Sequence, residues 1–246
     1  MKNYTLEVCI DSVESALAAV EGGATRLEMC ANLVIGGTTP SVFLYREIRK
    51  HSNIPIHAII RPRFGDFCYS THELRIMTQE VEQFKAEGAE GVVIGALQPD
   101  GSLDMATMEA LCRASGGMNI ALHRAFDMCK DPFETLNQVE ALGIGTILTS
   151  GQQNHCLEGA ELIKELALRN QADIMVGGGV NADVIRKLRE KTGITSYHLS
   201  GKTVINSPMQ YRNPNVSMGL PSLGEYEMWR TCPETIAAAK KALEGG

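Results

Sequence analysis

Two short segments near the start of the chain each set a glutamate and a cysteine two residues apart: Leu6-Glu7-Val8-Cys9 and Arg26-Leu27-Glu28-Met29-Cys30. Residues two apart in a β-strand face the same side. On neighbouring strands, Glu7, Cys9, Glu28 and Cys30 would share one face, with both thiols near the strands' C-terminal ends. Unpaired buried carboxylates are costly, so this face is expected to border a polar, functional cavity. Two thiolates on adjacent strands also suit near-linear, soft coordination of Cu(I), which makes Cys9 and Cys30 candidate metal ligands. The competing reading is that both are small buried hydrophobes.

Further along, Ile59-Ile60-Arg61-Pro62-Arg63 ends an apolar run with two arginines suited to bidentate binding of a carboxylate or phosphate. Arg61 could equally neutralise Glu28 on the adjacent strand. His123-Arg124-Ala125-Phe126-Asp127 crowds an acid–base group, a cation and a carboxylate into five residues. Gly177-Gly178-Gly179, with Ser200-Gly201-Lys202 after the last strand, has the makings of an anion cradle, to which Ser150 adds a hydroxyl. Under an enzymatic reading Glu28 or Asp127 is the general base and His123 the acid. Arg61, Arg63 and Arg124 then bind a small anionic metabolite, phosphorylated ones included, together with Ser150, Gly178, Gly179 and Ser200. His198 adds a further polar group, and His57, lower on its strand, reads as structural.

The elements that must position these residues follow a repeated grammar. Short apolar runs at 6–10, 26–30, 56–61, 91–95, 119–124, 145–150, 173–177 and 196–200 alternate with amphipathic stretches. The first helix, over 12–22, carries a stripe of Val13, Ala16, Leu17 and Val20, with Ser12 as N-cap and Gly22-Gly23 as stop. Helices over 80–87, 132–142 and 182–192 also stop at glycines. Eight strand–helix units without a composition break predict an α/β protein, one single-domain (β/α)8 TIM barrel over residues 1–246. A doubly wound open sheet is the alternative, but no GxGxxG follows the first strand. A long loop over 202–231, with Pro208, Pro214 and Pro221, is expected to wrap the barrel top before a last helix over 233–243. In such barrels the chemistry sits at the C-terminal ends of the strands.

A chain of 246 residues can bury a large core without disulfides or metal. Its net charge of −6 argues against general binding to nucleic acid or anionic membranes. No apolar run approaches the roughly 20 residues that span a bilayer. The segment Met1-Lys2-Asn3-Tyr4-Thr5 has no signal-peptide character. Seven cysteines without a CxxC pair read as reduced thiols of a cytoplasmic protein.

A series of longer motifs carries a family resemblance. LEVC with SxxxA spans 6–16, GGATRLEMC 22–30, GGTTPS 36–41, IRPRFGDFCYS 60–70 and HRAFDMCKDP 123–132. ILTSG at 147–151, GGGV at 177–180 and SPMQYRN at 207–213 complete it. Over residues 6–218 the chain resembles the CutC family, usually called copper homeostasis proteins. Thr38 replaces a leucine of the family's GGLTPS, and GGG stands where other members have GAG. The resemblance implies a (β/α)8 barrel, a cytoplasmic location and assembly as a homodimer or higher oligomer. It also implies a copper homeostasis role, with Cys9 and Cys30 matching the paired cysteines suggested to bind Cu(I). The arginines, the His-Arg-Asp cluster and the glycine turn exceed what a two-thiol clamp needs, so an enzyme acting on a small anionic metabolite stands as the alternative.

Overall fold

Eight parallel strands pair in sequence order, and the last pairs back onto the first. In a computed structural model, residues 4–169, 172–218 and 224–245 are described; Met1 to Asn3 and Pro221 lie outside them. The strands are β1 (Thr5–Ile10), β2 (Arg26–Met29), β3 (Ile56–Ile59), β4 (Gly91–Ile94), β5 (Asn119–Leu122), β6 (Thr146–Thr149), β7 (Asp173–Val176) and β8 (Ser196–Leu199). Around them run α1 (Val13–Gly22), α2 (Val42–Arg49), α3 (Thr71–Ala86), α4 (Met105–Ser115), α5 (Pro132–Ala141), α6 (Ala160–Arg169) and α7 (Ala182–Thr192). With α8 (Pro233–Glu244) they complete a (β/α)8 barrel.

The strands have two different faces. Outward positions such as Leu6, Val8, Ile10, Leu27, Met29, Ile56, Val92 and Ile94 are fully buried beneath the helices and form the main apolar core. Inward positions carry Glu7, Cys9, Glu28, His57 and His123, all buried. Large inward side chains need room from a neighbour, and β4 and the glycine that follows it supply it. A Cβ at Gly91 would lie 2.5 Å from the His57 ring, and one at Gly95 would lie 2.4 Å from the His123 ring.

Several expectations need correction. Seven of the eight predicted strands run one or two residues too far. At β3 the reason is visible: the Arg61 N–H leaves the ladder and donates to Thr39 Oγ1 at 2.9 Å. The stretch 80–87 is only the end of α3, which begins at Ser70 with a capping box completed by Glu73. Helix α1 buries Ser15, Ala16, Ala19 and Gly22, leaving Leu17 and Val20 exposed. Helix α8 packs so tightly here that a Cβ on Gly22 would meet Ile236 at 2.5 Å, so the buried stripe is one of small residues. The stretch 202–231 is not all loop: β9 (Lys202–Asn206) and β10 (Glu227–Thr231) pair antiparallel, with Lys202 opposite Thr231. Pro208 and Pro214 fall in the connection between them. Among the described residues no helix is long and apolar enough to cross a membrane.

Gly91→Ala is expected to destabilise the fold by about 1–3 kcal/mol, the usual cost of overpacking, read from urea unfolding midpoints. The added Cβ would also lie 2.7 Å from the Asn119 carbonyl oxygen, so an unchanged midpoint would refute the close packing assigned to Gly91.

Candidate functional site

Register fixes the lowest polar layer. Glu7 lies opposite Arg26 on β2 and opposite His198 on β8. Its carboxylate accepts from Arg26 Nε at 2.6 Å on one oxygen and meets His198 Nδ1 at 2.8 Å on the other. Against the desolvation that burial imposes, Arg26 and then His198 hold the Glu7 carboxyl well below the usual carboxylate range. Burial opposes charge on His198 as well, yet the Cys9 sulfur and the Glu28 and Glu7 carboxylates keep its ring well above histidine's usual range. Nδ1 faces Glu7, so Nε2 is turned to the other side, 3.8 Å from Glu28 Oε2.

One step higher, Cys9 lies opposite Glu28 rather than opposite Cys30. Cys9 Sγ, a Glu28 oxygen and a His198 nitrogen lie within 4.8 Å of one another. Cys30, just past the end of β2, lies two residues beyond Glu28, a rise of about 7 Å, and its thiol donates to Glu28 Oε2 at 3.3 Å. The predicted pairing of the two thiols therefore gives way to a cluster with one sulfur, one carboxylate and one imidazole. Burial, reinforced by Glu7, raises the Glu28 carboxyl, and its Oε1 is buried without a hydrogen-bond partner. Burial and then Glu28 push the Cys30 thiol well above its ordinary value.

Above this cluster opens a cavity of about 540 Å³, lined by Cys9, Glu28, His198, Arg61, Phe67 and His123 among others. Arg61 does not pair with Glu28. Glu28 is level with His57, and Arg61 lies four residues beyond it, roughly 13 Å along the strand direction. Its guanidinium donates to the carbonyl oxygens of Ile35, Gly37 and Gly65 at 3.3, 2.9 and 2.9 Å, while its Nε has no partner. The Phe67 ring centre lies 5.2 Å from the Arg61 guanidinium and 4.8 Å from the centre of the His123 ring, to which it is tilted by 40°. His123 Nδ1 accepts the Ala125 N–H at 3.1 Å. In the neutral ring Nε2 is then the N–H donor, and it is buried without a partner. Burial, with Arg61 adding to it, pushes the His123 ring down to about 3. His123 therefore offers a neutral N–H hydrogen bond, not the proton of an imidazolium as expected of a general acid.

The other expected residues divide between cavity and scaffold. Arg124, Gly178, Gly179 and Ser200 line the cavity. Gly178 and Gly179 adopt φ of +90° and +80°, which turns backbone toward the mouth. Arg63 does not line it, being held by Glu73 at 2.7 Å and Asp66 at 2.9 Å. Asp127 is saturated, accepting from Arg124 Nε at 2.7 Å, from Ser150 Oγ at 2.9 Å and from the Thr149 hydroxyl and the Gln152 N–H. It is a scaffold carboxylate with no free lone pair for a base, and Ser150, fully buried against it, is scaffold too. Burial, then Arg26, lowers His57 to about 4, in keeping with a structural role. Sequence reasoning overlooked Phe67 and Trp229 as cavity walls. Trp229 comes from β10, and Lys202 Nζ lies 3.2 Å from the centre of its ring.

The model of the CutC family matches residues 4–203 of this chain. A CutC family protein of Pasteurella multocida is 44% identical over 241 residues, covering 97% of this chain and 98% of its own length. One from Bacteroides fragilis is 45% identical over 250 residues, covering 99% and 98%. The chain belongs to the CutC family.

Among solved structures, the CutC protein of Streptococcus agalactiae, named for copper homeostasis, superposes with a TM-score of 0.76 at 31% identity. It covers 80% of this chain and 98% of that one. The one-sulfur cluster and the Arg61–His123 wall both fall inside the stretch matched to the CutC family, whereas Trp229 falls outside it. Cys30 is offset from Cys9 along the strands and engaged by Glu28, and the ligand atoms that lie within 4.8 Å of one another include the Cys9 sulfur but not that of Cys30.

The depressed His123 carries a prediction. Its folded pKa lies below the ordinary 6.5, so between about 3 and 6.5 the unfolded chain binds the extra proton. His123's contribution is then complete above about pH 6.5 and is lost as pH falls toward 3, amounting to about 2 kcal/mol between pH 7 and 5. Urea unfolding across that range should be less pH-dependent in His123→Gln. Equal steepness in the variant and the wild type would refute the assignment.

Proposed function

We propose that this CutC family chain is an enzyme acting on a small anionic metabolite bound at the barrel mouth. The observation that carries this reading is Arg61. Arg61 is 7% exposed and lines the cavity, and its guanidinium donates to the backbone carbonyls of Ile35, Gly37 and Gly65. No carboxylate is within ion-pair distance of it among the described residues. A buried cation left without a counter-charge is costly, and an anionic ligand would supply that charge. Lys202 and Arg124 line the same cavity and favour the same sign of ligand. Beside Arg61, the orphaned His123 N–H is suited to stabilise a substrate oxygen on which negative charge develops. All seven cysteines are free, which supports the expected cytoplasmic setting.

Copper handling, the role for which the Streptococcus agalactiae protein is named, is the second reading. It is favoured by the burial of Cys9 and Cys30 in one small inner cluster with Ile59, Val93 and Ala121.

Thermal denaturation with inorganic phosphate and a panel of phosphorylated and carboxylate metabolites tests the first reading. At least one anion should stabilise the wild type and Arg63→Met but not Arg61→Met. In His123→Ala its affinity should fall by about 10–100-fold, the worth of a hydrogen bond to a charged group. If no anion stabilises the wild type, the reading fails. Anaerobic Cu(I) titration against a chelator separates the second reading. A tight site lost in both Cys9→Ser and Cys30→Ser would put copper first.

A further inference from the structure

We propose that Cys9, Glu28 and His198 form a site for a divalent cation of the zinc class, open toward the barrel cavity. It is read from a different set of residues than the anion wall and stands independently of it.

The donor set is mixed. A thiolate, a carboxylate oxygen and an imidazole nitrogen lie within 4.8 Å of one another, and all three residues line the cavity. Zinc accepts all three ligand types, and zinc sites that keep three protein ligands leave a fourth position for water or substrate. Hard cations such as Mg²⁺ and Ca²⁺ avoid sulfur, and Cu(I) favours more than one soft ligand. Charge points the same way. Thiolate and carboxylate together carry two negative charges, which a divalent ion cancels and a monovalent one does not. Glu7 does not enter this count, being balanced by Arg26 at 2.6 Å.

Two further observations point to a ligand. Glu28 is 4% exposed, and its Oε1 is buried with no hydrogen-bond partner. His198 is already oriented as metal-bound histidines are. Its Nδ1 is engaged by Glu7 Oε1 at 2.8 Å, which leaves Nε2 to face Cys9 and Glu28. A carboxylate behind the histidine fixes the ring and raises its basicity as a ligand. Arg26 fixes that carboxylate from its other oxygen. Cys30, bonded to Glu28 Oε2 at 3.3 Å, steadies the carboxylate ligand without being a ligand itself.

The test uses the full chain and Zn²⁺ alone, titrated against a chromophoric chelator, with X-ray absorption at the zinc edge as the second measurement. One zinc per chain is expected. The absorption fit should give one sulfur at about 2.3 Å and nitrogen or oxygen at about 2.0–2.1 Å. Cys9→Ser, Glu28→Gln and His198→Ala should each lose the site. Glu7→Gln should weaken it about 10–100-fold, and Cys30→Ser should leave it within a few-fold of the wild type. Two sulfurs at the zinc, or a Cys30→Ser loss as large as that of Cys9→Ser, would overturn the assignment. So would the absence of a one-to-one site in the folded wild type, a result that leaves stabilisation by anions untouched. Because the absorption fit is made on the wild type, the proposal stays falsifiable even where a variant fails to fold.

Discussion

The carboxylate of Glu7 holds two cations at once, and the polar interior of this barrel depends on that arrangement. Arg26 and His198 reach it from the strands on either side, one on each oxygen. Neither cation could sit inside a closed barrel without a nearby negative charge, because an unpaired buried ion costs several kcal/mol. Glu7 also decides which nitrogen of His198 remains available. Without it, the ring could rotate and Nε2 would have no reason to face Cys9 and Glu28. One carboxylate thus sets both the charge balance of the lower layer and the direction of the reactive groups above it.

This interior is affordable because stability comes from elsewhere. The outward faces of the strands are apolar and fully buried beneath the helices, so the inward positions need not supply the main core. They hold a small apolar cluster around Ile59, Val93 and Ala121. The glycines of β4 follow from the same division. An inward position filled by hydrogen makes room for a histidine from the neighbouring strand, so the loss of packing at Gly91, and at Gly95 just past β4, is matched by the rings of His57 and His123.

Much of this was legible in the sequence. The alternation of apolar and amphipathic runs gave eight units, and period-two parity correctly turned Glu7, Cys9 and Glu28 inward. Parity does not give register, however. Barrel strands are staggered, and the stagger sets Cys9 level with Glu28 and carries Cys30 and Arg61 to higher levels than a simple alignment of motifs suggests. Parity also stops counting where a strand ends. Strand β3 ends at Ile59, so the two-residue spacing of Arg61 and Arg63 no longer places both on one face, and Arg63 turns to Glu73 and Asp66. The cluster His123-Arg124-Asp127 was visible as composition, but its hydrogen bonds were not. Only the structure shows Asp127 saturated by residues of the next loop, and His123 held neutral by burial. Trp229 lies too far along the chain from any strand end for a local motif to mark it.

The mouth is divided by charge in a way that a single function can use. On one wall, Arg61 is bound to carbonyl dipoles and meets no carboxylate among the described residues, with the His123 N–H beside it, and the balance is positive. On the other, Cys9 and Glu28 face an imidazole whose own counter-charge, Glu7, is shared with Arg26. A divalent ion would neutralise the second wall while leaving the first cationic, and an anion entering the cavity would meet both. Electrostatic preorganisation of this kind acts most strongly where water is excluded and the dipoles are fixed, and both walls are anchored to strand ends or to carbonyls of tight loops. A clamp for one soft ion at Cys9 would need neither the Arg61–His123 wall nor the space between the two walls. The division of charge across the cavity adds to what Arg61 alone supports in the proposal of a small anion as ligand.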